Sequence, residues 1–276
     1  MSKLRYLAPN FITLGAMACG VGGIVLAHRG AYVDAAWLML LSTFLDRADG
    51  FVARKLQATS AFGVQMDSFA DFFNFGVAPA FLLLTALTST PGLPFASGAG
   101  LAWVVAAAFL WLAAAALRLA RFNVLTDLPQ ADKTIFHGVP TTLTAGLLVD
   151  WFLVCLKYAA PDNPLGAPDR FAEGRLFGGL QLGPEVWQLF PWAMLVGALM
   201  MISNLRIKKF GALPYRWATL VVGGLSVAAI ACQLLRVFPE FMVLLPSTWL
   251  AIWLVWGQIG PNYRGRPKPP LFPVGD

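Results

Sequence analysis

Four aspartates lie within 26 residues of a chain that is otherwise strongly apolar. The stretch runs DRADGFVARKLQATSAFGVQMDSFAD, from Asp46 to Asp71. Asp46 and Asp49 are three residues apart, and Asp67 and Asp71 are four apart, so each pair would share one face of a helix. Carboxylates brought together in a low dielectric repel one another, and divalent cations relieve that repulsion. Oxygen ligands at this density suit Mg²⁺, Mn²⁺ or Ca²⁺ rather than zinc.

The residues between these aspartates suit a phosphate-bearing ligand. Gly50 and Ala53 have little or no side chain beside the carboxylates, which would let a ligand approach the helix backbone. The Arg54 guanidinium can pair with a phosphate oxygen, and two divalent ions about 4 Å apart form a recurrent clamp in phosphoryl transfer. The alternative is a structural network in which the aspartates pair with cations of the same stretch. Four aspartates at helical spacing favour the metal site.

The rest of the sequence is typical of a polytopic membrane protein. Of its 276 residues, 58% are hydrophobic and 12% are charged, whereas a soluble domain carries about 25% charged residues. The apolar runs are continuous and close to the 20 or so residues that a helix needs to cross a bilayer. One run is short, and the polar stretch after it is predicted to continue the same helix. The sequence thus predicts an all-α fold with about eight transmembrane helices, at 11–28, 31–46, 68–90, 100–120, 140–159, 187–205, 217–236 and 241–259.

Basic residues favour one side of this arrangement. If the N-terminus and every second loop lie inside, 15 of the 20 Lys and Arg residues are inside and five are outside, in agreement with the positive-inside rule. Both termini are therefore predicted to be cytoplasmic. The net charge of +6 suits anionic lipid head groups. The lipid bilayer is the expected partner, and no nucleic-acid partner is expected.

The charged stretch also follows the pattern D-x-x-D-G-x-x-A-R-x8-G-x3-D-x3-D. Its eight fixed positions are filled by Asp46, Asp49, Gly50, Ala53, Arg54, Gly63, Asp67 and Asp71. With every position matched, the chain resembles the CDP-alcohol phosphatidyltransferases. The resemblance implies a membrane fold with a six-helix catalytic core and a polar cavity open to the cytoplasm. It also implies that a phosphatidyl group moves from a CDP-linked lipid, CDP-diacylglycerol, to an alcohol, with release of CMP.

The same resemblance assigns roles to individual residues. The four aspartates are expected to bind two divalent ions, Mg²⁺ or Mn²⁺, and Asp71 is expected to act as the general base as well. Contacts with the CDP-lipid are expected from Asp49, Gly50, Ala53, Arg54, Ser60 and Gly63. Asn10 and Thr13, in the segment PNFIT, are further candidates for the nucleotide site, although a role at the start of a helix explains them nearly as well.

Elementary chemistry agrees with these roles. Divalent ions would neutralise the charge that develops on the CMP leaving group. An alcohol is a weak nucleophile until a base removes its proton, and Asp71 is the last carboxylate of the cluster. Direct displacement is favoured over a covalent intermediate, because no obvious Ser, Cys or His nucleophile lies beside the aspartates.

Weaker signals concern the acceptor alcohol. The segments FGVAPAFLL, LRLARFNV, FHGVPTTLTAG and MISNLRIKKF resemble the integral-membrane phosphatidylserine synthases, which implies L-serine as the acceptor. Arg118 and Arg121 are candidates to bind the serine carboxylate, because Arg grips carboxylates bidentately. Asn74 stands where serine is usual, and it is a candidate contact for the amino or hydroxyl group. Membrane anchoring explains the two arginines, and helix packing explains Asn74, about equally well.

Other readings are open. Glycerol 3-phosphate or an inositol phosphate could be the acceptor, although a phosphorylated acceptor would need a denser basic cluster than Arg118, Arg121 and Lys133. An ion-coupled transporter would show broken helices in paired halves, and no such symmetry is visible. Asp150 and His137 have no assigned role.

The resemblance, the apolar runs and the Pro-rich composition of the last residues together predict an organisation for the whole chain. A catalytic core is expected at 1–210, additional transmembrane helices at 211–260 and a disordered Pro-rich tail at 261–276. A homodimer and a location in a bacterial inner membrane are expected by analogy with the family.

Overall fold

The computed structural model describes residues 7–127, 134–209, 216–264 and 268–272. Lys133 lies outside these residues, as do 265–267 and 273–276 of the tail that is expected to be disordered. Long helices dominate the described part of the chain. They are α1 (Leu7–His28), α2 (Tyr32–Lys55), α3 (Ala61–Asp71), α4 (Ala78–Ser89), α5 (Gly98–Asp127), α6 (Thr141–Lys157), α7 (Leu189–Ile202), α8 (Arg216–Leu235), α9 (Pro239–Ile259) and the short α10 (Pro261–Arg264).

Five helical segments of the described chain are long and apolar enough to span a membrane. They are Leu7–His28, Ala61–Ser89, Gly98–Leu125, Pro184–Ile202 and Pro239–Ile259. Three other helices do not meet these criteria. Helix α2 carries the first part of the charged stretch, α6 has only 17 residues, and the apolar part of α8 is short. Each of the eight predicted spans nevertheless falls on a helical segment. The protein is a polytopic α-helical membrane protein, as the sequence predicts, and the number of crossings stays a prediction.

Helix α2 continues past Asp46 into the charged stretch, as predicted, and ends at Lys55. A short connection then passes through Gln57, at φ +49°, to Ser60. The Ser60 hydroxyl accepts a hydrogen bond from the Gly63 backbone N–H at 3.0 Å. This N-cap satisfies a donor of the first turn of α3. Two of the four aspartates therefore lie on α2 and two on α3.

Small residues let α1 lie close to α2. Ala16, Gly20, Gly23 and Ala27 are buried along one face of α1, at spacings of three and four. A Cβ on Gly23 would lie 2.8 Å from Cγ of Met39 on α2, so a larger residue would push the helices apart. The same face continues toward the N-terminus to Thr13, which the close packing brings against the charged end of α2.

A π-helix, Phe72–Val77, joins α3 to α4 directly after Asp71. The Ala78 backbone N–H donates to the Phe73 carbonyl five residues earlier, and the Trp111 indole N–H donates to the Phe75 carbonyl at 3.1 Å. Trp111 is fully buried and packs into the widened turn. Such π-turns inside α-helices occur frequently at functional sites.

A two-stranded antiparallel sheet, absent from the sequence prediction, joins two distant connections. Strand β1 (Ile135–His137) pairs with β2 (Arg206–Lys208), with Phe136 opposite Ile207. Helix α9 lies directly on β2: the Gln258 side chain accepts from the Arg206 N–H and donates to the Arg206 carbonyl, both at 3.3 Å. Gly257 has no side chain to hold the helix away from that carbonyl. The sheet therefore ties α9 to the connection between α5 and α6.

A buried ionic network lies at the other end of α6. The Lys157 ammonium pairs with Glu173 and with Glu240 of α9, each at 2.9 Å. The Tyr158 hydroxyl donates to Glu240 at 2.6 Å, and the Phe238 backbone N–H donates to Glu173 at 3.1 Å. Because each charge has opposite charges or hydrogen-bond donors around it, this network fixes α9 and the connection after α6 to the helical core.

Replacing Lys157 with Met should destabilise the protein strongly, because it leaves two buried carboxylates without a counter-charge. Breaking a buried ion pair in this way costs about 3–5 kcal/mol, which a thermal-unfolding midpoint in detergent would report. Arg236→Met is the matched control, since Arg236 pairs with Asp34 at 3.6 Å on the exposed surface, where an ion pair contributes about 0–1 kcal/mol. Equal shifts in the two midpoints would contradict this assignment.

Candidate active site

The four aspartates converge where α2 ends and α3 begins its run into the π-helix. One carboxylate oxygen from each of Asp46, Asp49 and Asp67 lies within 4.8 Å of the others. Asp71 lies close to the others through its carboxyl group, which interacts with that of Asp46. Asp46 therefore belongs to both parts of the cluster, the group of three with Asp49 and Asp67 and the pair with Asp71.

The donor set fits divalent cations. Every side chain in the cluster offers carboxylate oxygen, the ligand type that Mg²⁺ and Mn²⁺ prefer. The Asp71 Oδ1 atom is buried and has no hydrogen-bond partner, which is the state expected of an oxygen whose ligand is a cation. The three-aspartate group on its own already has the compactness of a metal site.

Thr13 of α1 orients one of these carboxylates. Its hydroxyl donates to Asp49 Oδ2 at 2.7 Å, and both residues are buried. A hydroxyl has a single proton to donate, so this bond takes precedence over the longer contact, 3.1 Å, with the Pro9 carbonyl. The sequence suggested Thr13 as a nucleotide contact or as a residue at the start of a helix. Its bond to Asp49 depends on the helix packing and has no local signal.

A cavity of about 210 Å³ opens beside the cluster. All eight residues expected to contact the CDP-lipid line it, together with Asp67; they are Asn10, Thr13, Asp49, Gly50, Ala53, Arg54, Ser60 and Gly63. The guanidinium of Arg54 lies across Gly50, where a Cβ would be 3.3 Å from Arg54 Nη1. The missing side chain at Gly50 thus makes room for Arg54 over the helix backbone.

Arg118 of α5 lies near Asp71. It is only 8% exposed, and its charge interacts with the Asp71 carboxylate. Its guanidinium carbon lies 4.9 Å from the ring centroid of Phe122. Within the described residues it makes neither a hydrogen bond nor a direct ion pair. The N–H donors of Arg118 are therefore available to a ligand.

Arg121, one turn further along α5, has its donors committed to the protein. It donates to the carbonyls of Ile202 and Ser203 at the end of α7, at 3.3 and 3.2 Å. It also donates to the carbonyls of Pro269 and Pro270, both at 3.0 Å, and to the Asn204 side chain. Carbonyls at a helix C-terminus lack partners within the helix, and Arg121 supplies them. This arrangement leaves Arg121 little capacity to bind an acceptor.

Asn74 and Asp150 are buried away from the cavity. Asn74, 2% exposed, packs against Gly20 of α1, where an added Cβ would collide with its side-chain oxygen. That oxygen has no partner in the described structure. Asp150 lies in α6, where the charge that acts on it is that of Arg47. Neither residue lines the cavity described above.

Asn123 is a residue that the sequence analysis did not single out. Its side-chain amide donates to the Ser68 hydroxyl at 2.8 Å. Because Ser68 follows Asp67 directly, this bond ties α5 to the segment of α3 that carries two of the aspartates. The segment LRLARFNV contains Asn123, but nothing in its local pattern indicates a partner 55 residues away.

A helical membrane protein with a carboxylate cluster beside a cavity and an uncommitted arginine has the features of a membrane-embedded, metal-binding phosphotransferase. Comparison with known families makes this class specific. The family profile of CDP-alcohol phosphatidyltransferase matches residues 6–168, more than half of the chain. The protein belongs to the CDP-alcohol phosphatidyltransferase family.

Three curated relatives show how far the similarity extends along the chain. The CDP-diacylglycerol–serine O-phosphatidyltransferase of Helicobacter pylori (strain 26695) is 28% identical over 250 residues, which cover 90% of this chain and 92% of the relative. The enzyme of the same name from Bacillus subtilis (strain 168) is 35% identical over 144 residues, 51% of this chain and 72% of the relative. The archaetidylserine synthase of Methanothermobacter thermautotrophicus is 32% identical over 147 residues, 52% of this chain and 57% of the relative.

Replacing Thr13 with Val removes the hydroxyl that holds Asp49 while nearly preserving the shape of the side chain. We expect the affinity for Mn²⁺ to fall about 10- to 100-fold, the usual effect of losing a hydrogen bond to a metal ligand. Titration with Mn²⁺, followed by electron paramagnetic resonance, measures this. Thr13→Ser keeps the hydroxyl and is the matched control. Equal affinities in the two variants would show that the hydroxyl does not orient Asp49.

Proposed function

We propose that this protein transfers the phosphatidyl group of CDP-diacylglycerol to L-serine, giving phosphatidylserine and CMP. One observation carries the proposal: Asp49 and Asp67 of the aspartate cluster line a cavity that is also lined by every residue expected to contact the CDP-lipid. Membership of the CDP-alcohol phosphatidyltransferase family supports the reaction. The names of the relatives from Helicobacter and Bacillus support serine as the acceptor.

Two divalent ions, Mg²⁺ or Mn²⁺, are assigned to the aspartate cluster. Asp46, Asp49, Asp67 and Asp71 would hold them, with Asp46 contributing to both parts of the cluster. When bound, the ions supply positive charge that neutralises the diphosphate and the departing CMP. Thr13 orients Asp49, and the bond between Asn123 and Ser68 fixes the segment that carries Asp67 and Asp71.

The cavity beside the cluster is assigned to the polar head of CDP-diacylglycerol. Arg54 supplies a charged hydrogen-bond donor for phosphate oxygens. The N-terminus of α3, capped by Ser60, adds the positive end of a helix dipole on the same side. Gly50 and Gly63 keep the cavity free of side-chain bulk. This arrangement holds the diphosphate next to the carboxylates, where the phosphorus atom can be attacked.

Asp71 is assigned as the general base. It would remove the proton from the serine hydroxyl as that oxygen forms a bond to the phosphorus atom of the phosphatidyl group. The bond from phosphorus to the CMP oxygen breaks, and CMP departs with its electrons. Asp71 is suited to this role because one of its oxygens has no partner in the described structure. Its proximity to Arg118 places the base beside the group that would hold serine.

Arg118 is assigned to the serine carboxylate in preference to Arg121. Its buried guanidinium has uncommitted N–H donors, whereas those of Arg121 bind backbone carbonyls. A single uncommitted guanidinium matches one carboxylate and favours an unphosphorylated acceptor over glycerol 3-phosphate or an inositol phosphate. Asn74 is kept as a candidate contact for the serine amino or hydroxyl group, supported by its unpartnered buried oxygen.

The setting proposed for this reaction is the bacterial cytoplasmic membrane, with eight crossings, both termini inside and the cavity open to the cytoplasm. We also propose a homodimer, by analogy with the family. The catalytic core would extend over 1–210, and 211–260 would add two transmembrane helices. The proposed disordered tail has described parts, because α10 occupies Pro261–Arg264 and the carbonyls of Pro269 and Pro270 bind Arg121.

Release of CMP tests the reaction. Purified protein with CDP-diacylglycerol, Mn²⁺ and L-serine should release CMP, and Asp71→Asn should lower kcat by about 10²- to 10⁴-fold, the usual contribution of a general base. Asp150→Asn is the matched control, because it removes a buried carboxylate outside the cluster. Metal-independent release, or an Asp71→Asn variant as active as the control, would contradict the proposed mechanism.

The two arginines can be separated by their effect on the acceptor. Arg118→Met should raise the KM for L-serine at least about 10-fold, since a charge-assisted hydrogen bond to a carboxylate contributes about 1.5–3 kcal/mol. Arg121→Met should mainly lower the thermal midpoint, because it frees several backbone carbonyls. Steady-state kinetics with serine as the varied substrate distinguishes the two, and the opposite pattern would make Arg121 the carboxylate-binding residue.

A further inference from the structure

The rings of Phe122 and Phe136 lie beside the guanidinium that is assigned to the acceptor, and also beside the Lys209 ammonium, which is 5.9 and 4.7 Å from their centroids. The Arg118 guanidinium carbon lies 4.9 Å from the Phe122 ring centroid and 5.8 Å from that of Phe136. The two centroids are 6.0 Å apart, with ring planes inclined at 48°. Both distances from the Arg118 guanidinium carbon are within the range at which an aromatic ring attracts a cation. The rings belong to different elements, since Phe122 is on α5 and Phe136 is on β1.

We propose that Phe122 and Phe136 are positioning residues, which fix the Arg118 guanidinium so that its N–H donors receive the carboxylate of the acceptor. The inference rests on the proposed function, because it concerns the same acceptor site. It makes the aromatic pair a determinant of selectivity for an alcohol that carries a carboxylate. Neither ring touches the reacting atoms in this account; each acts through Arg118.

Aromatic rings suit this task better than carboxylates would. A guanidinium paired with a carboxylate spends its N–H donors on that partner, whereas a ring holds the flat face and leaves the donors at the edge unused. Arg121 illustrates the contrast, because its N–H donors bind carbonyls at the end of α7 and in the tail. Burial adds to the effect, since a cation–π contact strengthens when water is excluded, and Arg118 is buried.

Phe136 is held in place by parts of the chain far from the aspartates. Its strand pairs with β2, and the ring packs against the cluster formed by Val139, Ile207, Trp249 and Trp253. The two tryptophans belong to α9, which also binds β2 through Gln258. Phe122 needs no such support, because it lies four residues after Arg118 on the same helix. The last long helix therefore reaches the acceptor site through the sheet.

The test is the Michaelis constant for each substrate. Phe136→Leu and Phe122→Leu should raise the KM for L-serine about 3- to 30-fold, the effect of losing one cation–π contact, while the KM for CDP-diacylglycerol stays unchanged. Phe136→Tyr keeps a ring and should restore the KM for serine. Phe152→Leu is the matched control, because Phe152 is a buried ring packed against Trp187 and Phe190. It should lower the thermal midpoint without changing the KM for serine.

A double-mutant cycle tests whether the rings act through Arg118. In an Arg118→Met background, Phe136→Leu should not raise the KM for serine further, because the cation that the ring positions has been removed. A further rise would overturn the inference, and so would an unchanged KM in both leucine variants or an equal rise for both substrates. If Phe136→Leu does not fold, as judged by its thermal midpoint, Phe122→Leu carries the same test.

The identity of the alcohol that supports CMP release distinguishes a failure of this inference from a failure of the proposed function. If the wild-type protein releases CMP only with another carboxylate-bearing alcohol, such as L-threonine, serine is the wrong acceptor, and the ring variants are then judged on the KM of that alcohol. If it releases CMP only with an alcohol that has no carboxylate, both the serine assignment and the role of the rings are wrong.

Discussion

Mutual repulsion of the four carboxylates is the constraint on which the rest of the structure depends. At a separation near 4.8 Å, two charged carboxylates repel by about 3 kcal/mol at an effective dielectric constant of about 20. A cluster of this kind persists only if packing holds its helices in place and cations or protons neutralise its charge. The close approach of α1 to α2 at Gly23 and of α1 to the π-helix at Gly20 provides the packing. The hydroxyl of Thr13 provides a direct bond to the cluster.

The two charged regions of the molecule differ in how their buried charges are compensated. Around Lys157, opposite charges from Glu173 and Glu240 lie within 2.9 Å, and backbone donors complete the arrangement. Such a region is satisfied by the protein itself, so it serves stability. In the aspartate cluster, Arg118 acts on Asp71 without a direct ion pair among the described residues, and one Asp71 oxygen has no hydrogen-bond partner there. A region left incomplete in this way needs something from outside the chain.

Arg118 and Arg121 show how the same residue type takes different roles one turn apart. Arg121 faces the end of α7, where carbonyls without helical partners take its donors. Arg118 faces aromatic rings, which hold a guanidinium without consuming its donors. The difference lies in what surrounds each side chain, because both arginines belong to the same apolar helix. Strand β1 and helix α9 contribute to those surroundings from far along the chain.

The sequence was sufficient for the membrane class, the helix that carries Asp46 and Asp49, and eight of the residues that line the cavity. Those features are encoded locally, in apolar runs and in a fixed spacing of residues over one stretch. Only the tertiary structure decided which arginine has donors available, because Arg121 meets Pro269, a residue 148 positions away. The bond between Thr13 and Asp49, the burial of Trp111 against the π-helix and the small sheet were likewise decided by packing. Each depends on groups distant in the chain, and strands of three residues leave no periodic pattern.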